Sequence, residues 1–161
     1  MATVEELTAE LEATRRQLEA LTKAAASNDE KMQRTHRREL RLLQAETLDA
    51  LFYAMTEGLR VSFGVEYVSV VLCDPDHDIR HLLLANGTPA EDFPNLLMVA
   101  SMTGLAPQFI SMQRPWLGEF THCDHQLICP GAVDAGSIAM IPLTYRQKLL
   151  GSINLCSADP K

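Results

Sequence analysis

Two apolar runs separated by a short polar turn fill residues 136–156: Gly-Ser-Ile-Ala-Met-Ile-Pro-Leu, then Leu-Leu-Gly-Ser-Ile-Asn-Leu-Cys. In the first run Ile138 and Met140 point one way, and Ala139, Ile141 and Leu143 the other. Period two with apolar residues on both sides describes a strand covered on both faces. In the second run Leu149, Gly151, Ile153 and Leu155 share one side, and Leu150, Ser152, Asn154 and Cys156 the other. The turn between them, Tyr145-Arg146-Gln147-Lys148, is polar, as a hairpin loop requires. Pro142 has no N–H for a ladder, so its donor side belongs at an edge, a bulge or solvent. A chain with this hairpin must cover both faces of a sheet with helices or loops.

The pattern of small residue, Ser, alternating apolars, Pro-Leu, polar turn and Leu-Gly resembles the last two strands of a GAF domain. Here it is carried by Gly136, Ser137, Ile138, Met140, Pro142 and Leu143, then by Leu150, Gly151, Ser152, Ile153 and Leu155. Arg114-Pro115-Trp116-Leu117-Gly118-Glu119-Phe120 and Ser157-Ala158-Asp159-Pro160 narrow the likeness. They are similar to a GAF-like family of uncharacterised bacterial proteins, some members of which precede a diguanylate cyclase domain. The resemblance covers roughly residues 40–161. It implies an α/β (α+β) fold with an antiparallel sheet of five or six strands flanked by helices. It also implies a sensory role, with residues 90–135 closing over one sheet face to make a ligand pocket.

Residues 3–25 place Val4, Leu7, Leu11, Thr14, Leu18, Leu21 and Ala25 at alternating spacings of three and four. So narrow an apolar stripe gains little on a lone helix, so it calls for a partner helix. The expected organisation is a coiled-coil dimerisation arm over 1–39 and a GAF-like sensory domain over 40–161. At Ser27-Asn28-Asp29-Glu30 either a new helix is capped or the helix runs on with a stutter. The basic run 34–41 reads as a solvated face paired with nearby acids. From Leu40 onward a broader apolar face (Leu43, Thr47, Ala50, Leu51, Ala54) suits a helix lying on a sheet, with Gly64 as its stop.

Residues 65–74 read as the first strand and 79–85 as the second. The inner sheet positions are then Val68, Val70, Leu72, Leu82, Leu84, Ile138, Met140, Ile153 and Leu155. The Asp-rich turn 74–78 between those strands is no calcium loop, because Ile79 stands where Gly is needed and Ala85 where Glu is needed. Residues 91–101 and 105–112 are expected as short helices, and 114–120 as a short strand.

A net charge of −7 opposes nucleic-acid binding, which needs a concentrated positive field. No apolar run approaches the roughly 18 residues of a membrane span, and the start lacks a signal peptide's basic and apolar segments. A cytoplasmic protein with four reduced cysteines is expected. In 161 residues there is room for one domain and an appendage. A GAF domain ordinarily finishes with a helix beside its first one. Residues 157–161 read as a cap and first-turn proline, so that helix is expected to be missing from this fragment of a longer protein.

The chemically loaded stretch is His122-Cys123-Asp124-His125, with Cys129 after it. Its spacing matches no familiar zinc ribbon or finger, and Cys129 reads as a small buried hydrophobe. No cofactor or metal is expected. One GAF-fold family reduces free methionine sulfoxide with paired pocket cysteines, so a thiol enzyme or redox sensor using Cys123 and Cys129 stands as the alternative. The cyclic-nucleotide signature of GAF domains is missing, and Cys123 is followed by Asp124 where pigment-binding relatives have His. Nor is there a phosphate loop, a Ser-His-Asp pattern or a cyclase active-site motif. The expectation is a non-enzymatic sensory module that homodimerises through its N-terminal helices and controls a downstream effector, by family analogy a diguanylate cyclase. Any small ligand is expected among Met102, Phe109, Trp116, Phe120, Cys123 and His125, the soft, aromatic and titratable groups of the irregular segment.

Overall fold

The computed structural model describes residues 3–160, in two units that divide between Leu40 and Arg41. Helix α1 (Val4–Leu43) accounts for nearly all of the first. A capping box starts it: the Glu6 N–H donates to Thr3 Oγ1 (3.3 Å), and the Thr3 N–H to Glu6 Oε2 (2.7 Å). The helix passes through residues 27–30 without a break, so neither Ser27 nor Asn28 caps a new one. Val4, Leu7, Leu11, Leu18 and Leu21 all stand exposed along it. Among the described residues no helix is long and apolar enough to cross a membrane.

In the second unit the helical segment expected over 40–63 is broken. Thr47 caps a fresh helix, α2 (Leu48–Tyr53), by accepting the Ala50 N–H at 3.3 Å. A π-helical turn (Ala54–Gly58) joins α2 to α3 (Leu59–Phe63), and Gly64 ends it at φ 65°. Strand β1 (Tyr67–Cys73) follows, then α4 (Asp78–Ala85), β2 (Leu96–Val99), β3 (Trp116–Glu119), the single turn α5 (His122–His125), β4 (Ser137–Tyr145) and β5 (Lys148–Ser157). The sheet has five strands in the order β2-β1-β5-β4-β3. It is antiparallel except for the β1/β2 edge pair, an arrangement consistent with a GAF-like fold.

Register assigns the faces. Val68 opposes Leu155, Val70 opposes Ile153, and Ile153 opposes Ile141. These residues pack against Phe52, Leu59 and Leu83 on the helix side. On the other face Ser69, Asn154, Met140 and Trp116 form one cross-strand row, and Tyr67, Cys156, Ile138 and Gly118 the next. The irregular segment covers that loop side. The hairpin turn is of the tight primed type, with Arg146 and Gln147 both left-handed (φ 48° and 66°). A bulge between Leu143 and Thr144 shifts the register of β5. Leu149 therefore packs with the loop-side cluster and not with Ile153 and Leu155, as strict alternation implies. Pro142 lies beyond Ser137–Met140, the stretch of β4 that β3 covers.

Residues 79–85 are helix α4, not a second strand. The Asp74 carboxylate accepts the Ile79 N–H (3.1 Å) and the Arg80 N–H (3.3 Å), holding the first turn of a helix. Leu83 is buried, whereas the expected inner residues Leu82 and Leu84 are 55% and 63% exposed. A helix at this point is what a crossover to a parallel strand requires. That strand, β2, replaces the helix expected over 91–101, and Phe93-Pro94 breaks any helix there. Over 105–112 only the 3₁₀ turn Pro107–Ile110 forms.

Met140 is fully buried in the middle strands of the sheet. Met140→Asp is expected to lower stability by several kcal/mol, about 3 or more, through an unpaired buried charge. A soluble variant that melts at the parent's temperature would contradict the placement.

Candidate functional site

The loop side of the sheet holds the chemically distinctive groups. Trp116 and Gly118 share that face of β3, and the indole lies so close over Gly118 that a Cβ there would overlap it. The chain then turns sharply into α5. The Thr121 N–H donates to His125 Nδ1 at 3.0 Å, and the Thr121 hydroxyl donates to Asp124 Oδ2 at 3.1 Å. Both bonds are local, and they swing His125 back over β3. Its ring lies 5.6 Å from that of Trp116 and 5.5 Å from that of Phe120.

His125 is 1% exposed. Because Nδ1 accepts a bond, the proton of the neutral ring sits on Nε2, and Nε2 is buried with no hydrogen-bond partner. Burial pushes the His125 pKa down, against a weaker upward pull from the Asp124 carboxylate. A neutral imidazole between two aromatic rings results.

A second polar group crosses β1 and β5. Ser69 Oγ donates to the Ile128 carbonyl at 2.5 Å and accepts from Asn154 Nδ2 at 3.2 Å. Cys129 Sγ lies 3.3 Å from Ser69 Oγ, and the Cys156 thiol donates to it at 3.1 Å. The hydrogen bond from Cys156 draws the Cys129 pKa down against its burial, whereas Cys129 and burial push that of Cys156 up. Asn154 Oδ1 and Ser152 Oγ on the same strand are buried without partners. The loop side is therefore polar in its middle, unlike the helix side.

The structure brings five of the six expected ligand residues into one region. Met102, Phe109 and Phe120 belong to the buried loop-side cluster, Trp116 packs on that cluster, and His125 contacts Trp116 and Phe120. Cys123 stands apart from them: it is exposed, with its thiol near Thr121 Oγ1 (4.0 Å) and Asp124 Oδ1 (3.5 Å). The buried neighbour of Cys129 is Cys156, which sequence reasoning left unassigned. The small polar residues at Ser152, Asn154 and Cys156 were the available signal.

Surface depressions border the cluster. One of about 510 Å³ runs along Met102, Phe109, Thr103 and Lys148. A second, of about 290 Å³, lies against Tyr67, Gly131 and Cys156. The third, of about 520 Å³, is lined by Gln108, Ser111, Met112, Arg114 and Trp116. Of these five only Trp116 is among the expected ligand residues, although Arg114 precedes it by two positions. Among the described residues no group of three or more His, Cys, Asp or Glu is placed to hold a metal ion.

Residues 2–161 match one family, described as "Protein of unknown function, DUF484", and the chain belongs to it. No curated protein matches the chain.

The lowered His125 pKa has a definite sign. Below the ordinary value near 6.5 the unfolded state takes up a proton that the folded state resists. Stability from this group is thus complete above that value and is lost as pH falls through it toward the lowered one. Between pH 7.5 and 5.5 the parent is expected to lose more melting temperature than His125→Gln. Equal losses in the two proteins would show that the imidazole stays uncoupled from folding.

Proposed function

We propose that this member of DUF484 is the regulatory, non-catalytic part of a bacterial signalling protein. In this reading residues 40–161 are a GAF-like sensory domain in the cytoplasm. The α1 arm pairs two copies of the chain, and the pair controls an effector domain, by family analogy a diguanylate cyclase.

The observation that carries the reading is the uncovered seam of α1. Leu11 and Leu18 are 52% and 63% exposed in a helix of 40 residues, and Val4, Leu7 and Leu21 continue the row. A row of apolar residues at alternating spacings of three and four is matched best by an identical row on a second helix. The loop-side cluster supports the sensory half, since an aromatic region with a few polar groups suits a small ligand. A ligand that changed the crossing angle or register of the paired arms would alter the spacing of two effector domains.

The Cys129–Cys156 contact favours one second reading, a thiol redox sensor that does not use Cys123. A hydroperoxide would take two electrons from the pair, leaving a disulfide, with the peroxide reduced to water and an alcohol or to two waters. Two different experiments separate the readings. Sedimentation of the parent should give a dimer, and the Leu11→Asp, Leu18→Asp double variant a monomer; a monomeric parent would remove the arm's role. Mild peroxide is expected to leave Cys129 and Cys156 reduced in peptide mass maps if the domain is a ligand sensor. Loss of two hydrogens from linked peptides bearing both would favour the thiol reading.

A further inference from the structure

We propose that the depression beside Trp116 binds a planar aromatic anion. The proposal rests on the sensory reading and names its ligand class. The depression, about 520 Å³, is in the size range of small-molecule sites. Two of its groups set the class of ligand. Trp116 forms part of the wall, and its contact with the buried His125 ring at 5.6 Å holds the indole in place as an aromatic surface. Arg114 is exposed and makes no ion pair or hydrogen bond among the described residues, so its guanidinium is available to grip a carboxylate or phosphate in a fork.

Gln108 lines the depression as well. Ser111 adds a hydroxyl, and Met112 a soft apolar surface beside the indole. No carboxylate lines the depression, so nothing in its wall repels an anion or invites a cation. An apolar ligand would leave Arg114 unused, and a flexible aliphatic anion would leave the indole unused. The combination selects a flat, negatively charged ring system.

Trp116 is the chain's one tryptophan, so its indole N–H gives a unique signal in a nitrogen–proton correlation spectrum. The probes are 6-hydroxy-2-naphthoate and its uncharged carboxamide, titrated into the full chain and into Arg114→Gln. The acid is expected to shift the parent's indole signal saturably. Loss of the charge on either side, by the carboxamide or by Arg114→Gln, should weaken binding about tenfold or more, as charge-assisted hydrogen bonds imply. Because Arg114 is exposed, the variant should melt with the parent. Equal binding of acid and carboxamide, indifferent to Arg114, would overturn the anionic class while leaving a ligand-binding sensor. No saturable shift with either probe would overturn the site itself. Neither result bears on whether the α1 arms pair.

Discussion

Strand β5 has neighbours in every direction, and the α/β unit is arranged to satisfy it. Its edges pair with β1 and β4, its helix-side residues press on Leu59 and Val68, and its loop-side residues meet Ser69 and Cys129. A backbone so enclosed has no water to bond with, so its N–H and C=O groups depend on the two ladders. Close approach adds to this. At Gly151 a Cβ would collide with the Val71 carbonyl, so only glycine lets β1 lie where it does. Once β1 is fixed, α4 and β2 follow on its outer side, and β4 positions β3 on the other.

What was legible in the sequence was legible because of periodicity. The β4–β5 hairpin alternates over long runs, and Tyr67–Cys73 does so too, so their strands and faces could be read directly. The bulge near Leu150 defeated that rule for Leu149, because one extra residue exchanges the two faces. At 79–85 three consecutive leucines carry no period, and the deciding contact comes from Asp74, five residues before the first amide it caps. Strand β2 is four residues long and bonds to β1 only after a helix has carried the chain back, so nothing local announced it. The Thr3/Glu6 capping box, by contrast, was present in the sequence and went unread.

The candidate site shows the same division. Residue types pointed to the irregular segment, and Trp116, Phe120 and His125 do meet there through the tight turn at Thr121. Which cysteine pairs with which depended on the sheet register, since Cys156 reaches Cys129 only because β5 lies beside β1. The contrast between the two faces has a physical reading. The helix side is closed by the apolar packing of Phe52, Leu59 and Leu83, which favours rigidity. The loop side keeps His125 Nε2, Asn154 Oδ1 and Ser152 Oγ unpartnered, and buried groups of that kind are costly unless something else satisfies them.

The position of β5 also bears on how the chain comes off the ribosome. It is the last strand of the described sequence, yet it stands at the centre of the sheet. Strands β1 and β2 emerge first, and the edge of β1 that later receives β5 stays open while some eighty residues are still being made. Until residue 157 is available, that edge forms an unprotected template of the kind that pairs with other chains. The nascent protein therefore passes through an interval of vulnerability to misassociation, which ends when the final hairpin slots between the halves of the sheet.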